Sequence, residues 1–180
     1  QPYAGGAGVN TGTAPSKTLR ETALYFSGLA TRGLYGVDYT VKPDLTIRDF
    51  MYRERAVVES AWTHIEQNLE RHRIVRAQGH ARFSGADTIE LSRYKEAART
   101  ITADVFLVAT GSRPSRPAGI PFDGRFVVDS DDVLSLTAIP KRLVVIGGGV
   151  IGCEYAGIFA ALGVRVTLVN SLERLLMQLD

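Results

Sequence analysis

The 180-residue chain holds one cysteine, Cys153, a scarcity that excludes an intrachain disulfide and any metal site built from several thiolates. A reducing, cytoplasmic setting is the default that follows. The three histidines, His64, His72 and His80, lack ligand spacing, so no metal centre is expected. No charge of one sign dominates. The formal net charge is +2, and between residues 48 and 76 arginines alternate with carboxylates as on a solvated helix face, which leaves no basic stripe for a nucleic acid. Long apolar runs are missing too. The longest, around residues 143–153, is interrupted by glycines and falls well short of the ~18 residues of a membrane span. The first residues show neither the basic start nor the apolar core of a secretion signal.

An apolar content of 45% suffices for one sizeable core or for pieces of two domains. The strongest pattern starts at Leu143-Val144-Val145-Ile146, runs into Gly147-Gly148-Gly149-Val150-Ile151-Gly152, continues as a helix-like stretch over 153–162 and, after Gly163, ends in a second apolar run over 164–169. This order is that of a Rossmann dinucleotide turn. Glycines at 147 and 149 let backbone N–H groups approach a pyrophosphate, and the helix N-terminus behind them carries partial positive charge. NAD sites usually place Asp or Glu at the end of the second strand, where this chain has Asn170, eighteen residues after Gly152. Its neutral amide bonds a ribose hydroxyl without repelling a 2′-phosphate, which suits a site that accepts both NAD and NADP. Arg165 and Arg174 are the candidate phosphate partners. Asn170 is equally readable as a turn residue. Cys153 lies in the first turn after the glycines, where a thiol can be activated, but a small packing residue is the plainer reading.

Upstream, Thr13 reads as an N-cap with Pro15 in the first turn of a helix, and the glycines before it as a tight loop. Pro43 and Asp44 break the chain before a second helix, for which Thr46-Ile47-Arg48-Asp49 is a capping box. Phe50, Val57, Ala61, Trp62, Ile65 and Leu69 then form one apolar stripe over about six turns. Trp62 falls on that stripe as a core residue, with an interface or stacking role as the alternative. Short extended segments at 73–77, 81–83, 88–91 and 100–101, with Ser84-Gly85 as a turn, predict a small antiparallel meander. Residues 104–111 read as a buried strand that runs into a glycine turn. Pro114, Pro117 and Pro121 mark a linker, and a domain boundary is expected near Phe126. The opening Gln1-Pro2 and the few residues after Val169 suggest a piece of a longer protein, or else a chain whose missing strands come from another chain.

Four ordered motifs carry a more specific signal: Gly5-Gly6-Ala7-Gly8-Val9-Asn10-Thr11-Gly12-Thr13-Ala14-Pro15-Ser16-Lys17, Gly79-His80-Ala81, Ala109-Thr110-Gly111-Ser112-Arg113-Pro114, and Gly147 through Glu154. Together they resemble the flavoprotein pyridine nucleotide-disulfide oxidoreductase family over almost the whole chain. The resemblance implies an α/β fold, with a partial FAD-binding domain carrying a small antiparallel β-meander at 1–125 and the start of a Rossmann-type NAD(P)-binding domain at 126–180. It implies FAD, NAD and NADP as cofactors, nicotinamide dinucleotides as partners, and a parent protein that is a homo-oligomer. Thr13 and Lys17 would then stand at the flavin, with Lys17 beside its N5 and Glu154 holding that cation in place. Their roles would be electrostatic, since a fixed cation favours the anionic reduced ring. The plain alternative is a solvated Lys17 and a Glu154 that only suits a helix N-terminus. Thr110, Gly111 and Ser112 would line the FAD, and Gly79, His80 and Ala81 would meet its adenine. Gly147, Gly149, Val150, Ile151, Gly152, Glu154 and Asn170 would hold the nicotinamide nucleotide.

The chain departs from the family pattern at Gly8 and Thr13, where disulfide-reducing members carry cysteines, and at Ala14, usually Ile. Without those thiols electrons cannot pass to a disulfide by the family route. The expected activity is hydride transfer between NADPH and NAD⁺, as in the family's transhydrogenases. A disulfide-reductase-type enzyme that has lost its cysteines, such as a dihydrolipoyl dehydrogenase, and a non-enzymatic nucleotide-binding piece are the alternatives.

Overall fold

A computed structural model describes residues 4–31 and 45–176. They form two compact units, Gln1–Ile65 with Ser112–Asp180, and Glu66–Gly111. The expected break at Pro43 and Asp44 lies outside the described residues.

The glycine cluster forms a short helix, α1 (Gly6–Asn10), where a loop was expected. Gly5 and Gly6, at φ 98° and 58°, turn the chain into it. The Asn10 amide closes it by donating to the carbonyls of Ala4 (3.1 Å) and Gly6 (2.7 Å). Helix α2 (Thr13–Thr31) begins at Thr13 itself. The Ser16 N–H donates to the Gly12 carbonyl at 2.9 Å, so the cap is Gly12, one residue before the expected one. The capping box forms as read: the Asp49 N–H donates to Thr46 Oγ1 (3.2 Å) and the Thr46 N–H to Asp49 Oδ2 (3.0 Å). It opens only a single turn, α3 (Ile47–Phe50), and Met51 separates this from α4 (Tyr52–Arg71). Of the stripe, Phe50 is buried and Val57, Ala61, Trp62, Ile65 and Leu69 are half-buried. The Trp62 indole N–H donates to Asn10 Oδ1 at 2.8 Å, so this ring ties α4 to α1 from a half-buried position instead of filling the core.

The second unit contains the expected meander. Strands β1 (His80–Phe83), β2 (Thr88–Ser92) and β3 (Arg99–Thr102) pair antiparallel in that order, with Ala81 opposite Leu91 and Ile89 opposite Ile101. The N–H groups of Ser84 and Gly85 both donate to the Thr88 carbonyl and close the first turn. Two expected strands do not form. Residues 73–77 form no strand, and residues 104–110 are irregular, with Val105 and Leu107 84% and 91% exposed. A strand needs a ladder partner for its backbone groups, and no described strand pairs with either segment. Phe106 alone is anchored there, edge-on to Phe83 at 5.2 Å.

In the first unit, β4 (Arg142–Ile146), α5 (Val150–Ala161) and β5 (Arg165–Val169) form the βαβ unit read from the glycine pattern. The strands are parallel, Arg142 against Arg165 through Ile146 against Val169, and α5 is the crossover that a parallel pair requires. A Schellman motif ends α5: Gly163 at φ 82° donates to the Ala160 carbonyl (2.9 Å) and Val164 to that of Phe159 (3.1 Å). Strand burial alternates, so Leu143, Val145, Val166 and Leu168 are half-buried while Val144, Ile146 and Val169 are exposed.

The core joins the two ends of the chain. Leu19 and Ala23 of α2, Phe50, Met51, and Tyr155, Ile158 and Phe159 of α5 form one buried cluster, completed by Ile47, Val133 and Val164. Phe50 and Phe159 are essentially inaccessible, and burying a side chain of that size contributes roughly 1.5–3 kcal/mol. Both α2 and α5 contribute to this core.

Candidate functional site

The glycine turn at the head of α5 is built by three constraints. Gly147 has φ 109°, a conformation side-chain-bearing residues rarely adopt, and its N–H donates to the Val169 carbonyl at 2.9 Å, extending the β4–β5 ladder by one residue. A Cβ on Gly152 would lie 2.0 Å from the Gly147 carbonyl oxygen, so only glycine lets the helix pack so close to the turn. Gly149 caps the helix in extended conformation, and its carbonyl receives the Cys153 N–H at 3.0 Å. Around Gly147 and Gly149 no atom lies within 4 Å of where a Cβ would sit. The open side of the turn and the unpaired N–H groups of the first helical turn, at Val150, Ile151 and Gly152, suit an anion of pyrophosphate shape.

Gly148, the middle glycine, was not singled out by the motif but is the most crowded by side chains. A Cβ there would lie 2.6 Å from Leu175 Cδ2 and 2.8 Å from Asn170 Cγ. Asn170 reaches back from the end of β5, its Oδ1 accepting the Gly148 N–H at 3.3 Å and its Nδ2 donating to the carbonyls of Leu172 (2.9 Å) and Arg174 (3.0 Å). Cys153 is partly buried with its thiol on the Gly148 carbonyl at 3.5 Å, a packing position. Arg165 is exposed in β5 and Arg174 is exposed in the turn that follows.

Glu154, in the first turns of α5, is held by Ser16 and not by Lys17. The Ser16 hydroxyl, in a residue only 6% exposed, donates to Glu154 Oε2 at 3.0 Å across 138 residues of sequence. Lys17 is exposed, and no described ion pair joins it to Glu154. Ser16 escaped the sequence reading because a serine within a helix carries no local signal of a distant partner. Thr11, between α1 and α2, escaped it as well. Its Oγ1 is the one buried side-chain polar atom among the described residues without a hydrogen-bond partner. Burial, with Glu154, Asp131 and Glu54 adding to it, pushes the Tyr155 hydroxyl far above its ordinary range and keeps it neutral. Thr13 is exposed at the start of α2.

In the second unit, Gly79 precedes β1 where a Cβ would stand 2.7 Å from the Ser92 carbonyl oxygen. His80 and Ala81 are exposed on β1, with the His80 carbonyl accepting from the Ser92 hydroxyl at 3.3 Å. Thr110 and Gly111, at the end of this unit, and Ser112, the next residue and part of the first unit, are exposed in irregular backbone, Gly111 at φ 74°.

Comparison with known proteins places this geometry. The family described as pyridine nucleotide-disulphide oxidoreductase matches residues 3–180. A soluble pyridine nucleotide transhydrogenase of Mycobacterium bovis is 44% identical over 173 residues, which is 96% of this chain and 37% of that protein. One of Colwellia psychrerythraea is 40% identical over 176 residues, 98% of this chain and 38% of that protein. The chain thus spans under two fifths of the curated relatives it matches. A crystal structure of LpdA from Mycobacterium tuberculosis superposes with a TM-score of 0.84 at 25% identity, over 97% of this chain and 38% of that one. With the motifs and the glycine turn in place, and a family match that runs nearly end to end, this chain belongs to the pyridine nucleotide-disulphide oxidoreductase family.

Proposed function

We propose that the full protein carrying this chain is an FAD-dependent oxidoreductase that moves hydride between NADPH and NAD⁺. The observation that carries the reading is the absence of thiols at positions 8 and 13, with the sole cysteine, Cys153, packed behind the glycine turn. A relay to a disulfide has no sulfur to run through, whereas exchange between two nicotinamides needs none. The printed names of the relatives support the same reading.

In this reading, a bound flavin supplies a two-electron relay that accepts hydride from one nicotinamide and returns it to another. The chain's own residues bind and orient. Val150, Ile151 and Gly152 hold the nicotinamide nucleotide's pyrophosphate through backbone N–H groups, and Gly147 and Gly149 keep its approach open. Ser16 fixes the Glu154 carboxylate at the head of α5, and the exposed ammonium of Lys17, one residue along α2, supplies positive charge on the flavin side. The orphaned hydroxyl of Thr11 fits a polar edge of the cofactor, since a buried hydroxyl is rarely left without a partner. Thr13, Gly79, His80, Ala81, Thr110, Gly111 and Ser112 belong to the FAD contacts of the same proposal. So do a cytoplasmic setting and a homo-oligomeric parent. Among the described residues no helix is long and apolar enough to cross a membrane, and no group of His, Cys, Asp and Glu could hold a metal.

The test is the full protein assayed with NADPH and either NAD⁺ or a disulfide such as oxidised glutathione or lipoamide. Transhydrogenation with disulfide reduction at background is the expected outcome. Comparable rates with both acceptors would overturn the reading.

A further inference from the structure

We propose that Asn170 acts on coenzyme choice as a positioning residue, by pinning the 171–176 segment onto the glycine turn, and not by donating to the ribose. The inference rests on the nicotinamide-nucleotide reading of that turn. Both hydrogens of Nδ2 are committed, to the carbonyls of Leu172 and Arg174, and Oδ1 already accepts the Gly148 N–H. A second tie runs in parallel, from the Leu176 N–H to the Gly148 carbonyl at 2.9 Å. Between the ties, the Leu175 side chain and the Asn170 amide close over Gly148 so tightly that a Cβ there would be 2.6 Å from one and 2.8 Å from the other.

An amide in this state has no free donor for a ribose or phosphate oxygen, and all it could still offer is the second lone pair of Oδ1 to a hydroxyl that donates. What the pinned segment carries is Arg174, exposed and outside every described ion pair, whose own carbonyl is one of the two groups Asn170 grips. A guanidinium just beyond the second strand suits a 2′-phosphate, which NADP has and NAD lacks. Asn170 therefore sets where that guanidinium starts from, and the selectivity passes through the backbone.

Equilibrium titration of NADP⁺ and NAD⁺ against the full protein and its Asn170→Ala, Asn170→Asp, Arg174→Ala and Asn170→Ala/Arg174→Ala forms tests this, together with timed trypsin cleavage after Arg174. The expected result is that Asn170→Ala and Arg174→Ala each weaken NADP⁺ about tenfold, that the double variant loses little more than either, and that NAD⁺ changes much less. Asn170→Asp should behave like the alanine form, because it too lacks the donors. Cleavage after Arg174 should be faster in both position-170 variants. Tighter NAD⁺ binding by Asn170→Asp would mean direct ribose contact and overturn the proposal, as would additive losses in the double variant. Unchanged trypsin cleavage would remove the pinning itself whatever the coenzymes do. A wild-type protein that binds neither coenzyme but shows the cleavage difference would instead sink the nucleotide reading and leave the pinning intact.

Discussion

Two stretches of this chain look alike on paper: Leu143-Val144-Val145-Ile146 before Gly147, and Val105-Phe106-Leu107-Val108 before Gly111. The first is a strand and the second is not. Residues 142–146 have β5 to pair with and α5 to cover one face, whereas residues 104–110 pair with no described strand and leave Leu107 91% exposed. Apolar β-branched residues supply a tendency to extend. Only a neighbour that satisfies the backbone and a layer that hides the side chains turn it into a strand.

The sharpest way to break this comparison is to remove the covering layer. Phe159→Ala should destabilise the first unit by ~3–5 kcal/mol, because the ring is 1% exposed and a cavity replaces it, while Leu107→Ala should stay within about 0.5 kcal/mol of wild type. Denaturant unfolding of both variants is the measurement. Similar losses would mean that residues 104–110 are packed after all. A smaller effect separates the two glycine turns. Gly152→Ala sets a Cβ against the Gly147 carbonyl and should cost about 3 kcal/mol and much of the nucleotide binding. At Gly111, φ 74° strains a side chain but nothing crowds it, so Gly111→Ala should cost only about 1 kcal/mol. Equal costs would remove the argument that the first turn is built by close packing.

The smallest effect concerns residues 112–131, without helix or strand like 104–110 yet tied down. Arg116 donates to Asp129 at 2.7 Å and to Asp132 at 2.8 Å. Burial pushes the Asp129 carboxyl up, but Arg116 and the N–H groups of Asp132 and Asp131 outweigh it and hold the group below its ordinary 3.8. A carboxyl with a lowered folded value stabilises the fold above its unfolded value, and that contribution drains away as pH falls through the folded one. Melting temperatures of wild type and Arg116→Gln should therefore differ at pH 7, with a gap that narrows as pH falls below 3.8. A gap that does not change with pH would assign Arg116 a role other than its charge.

Local patterns were legible because they are set by neighbours in sequence. The capping box at Thr46 and Asp49, the glycine turn with its helix, and the Ser84-Gly85 turn between β1 and β2 all formed where spacing and residue type put them. Contacts between distant residues were not legible. Nothing near Ser16 announces Glu154, and nothing in Asn170 tells a ribose contact from a grip on Gly148. The short helix over 6–10 was hidden because glycines suggest a loop, and its closure depends on the side chain of Asn10. The strand expected at 104–111 failed for the opposite reason, a local pattern strong enough to read but without the partner that would complete it.

The bare side of the β4–β5 pair sets a limit on handling. Val144, Ile146 and Val169 meet water at 62%, 69% and 50% exposure, and among the described residues each strand has an open edge. An apolar face bordered by unpaired edges is a template on which another copy can add. A preparation confined to these residues should therefore scatter more light as concentration rises, and more steeply in sulfate, which strengthens apolar association.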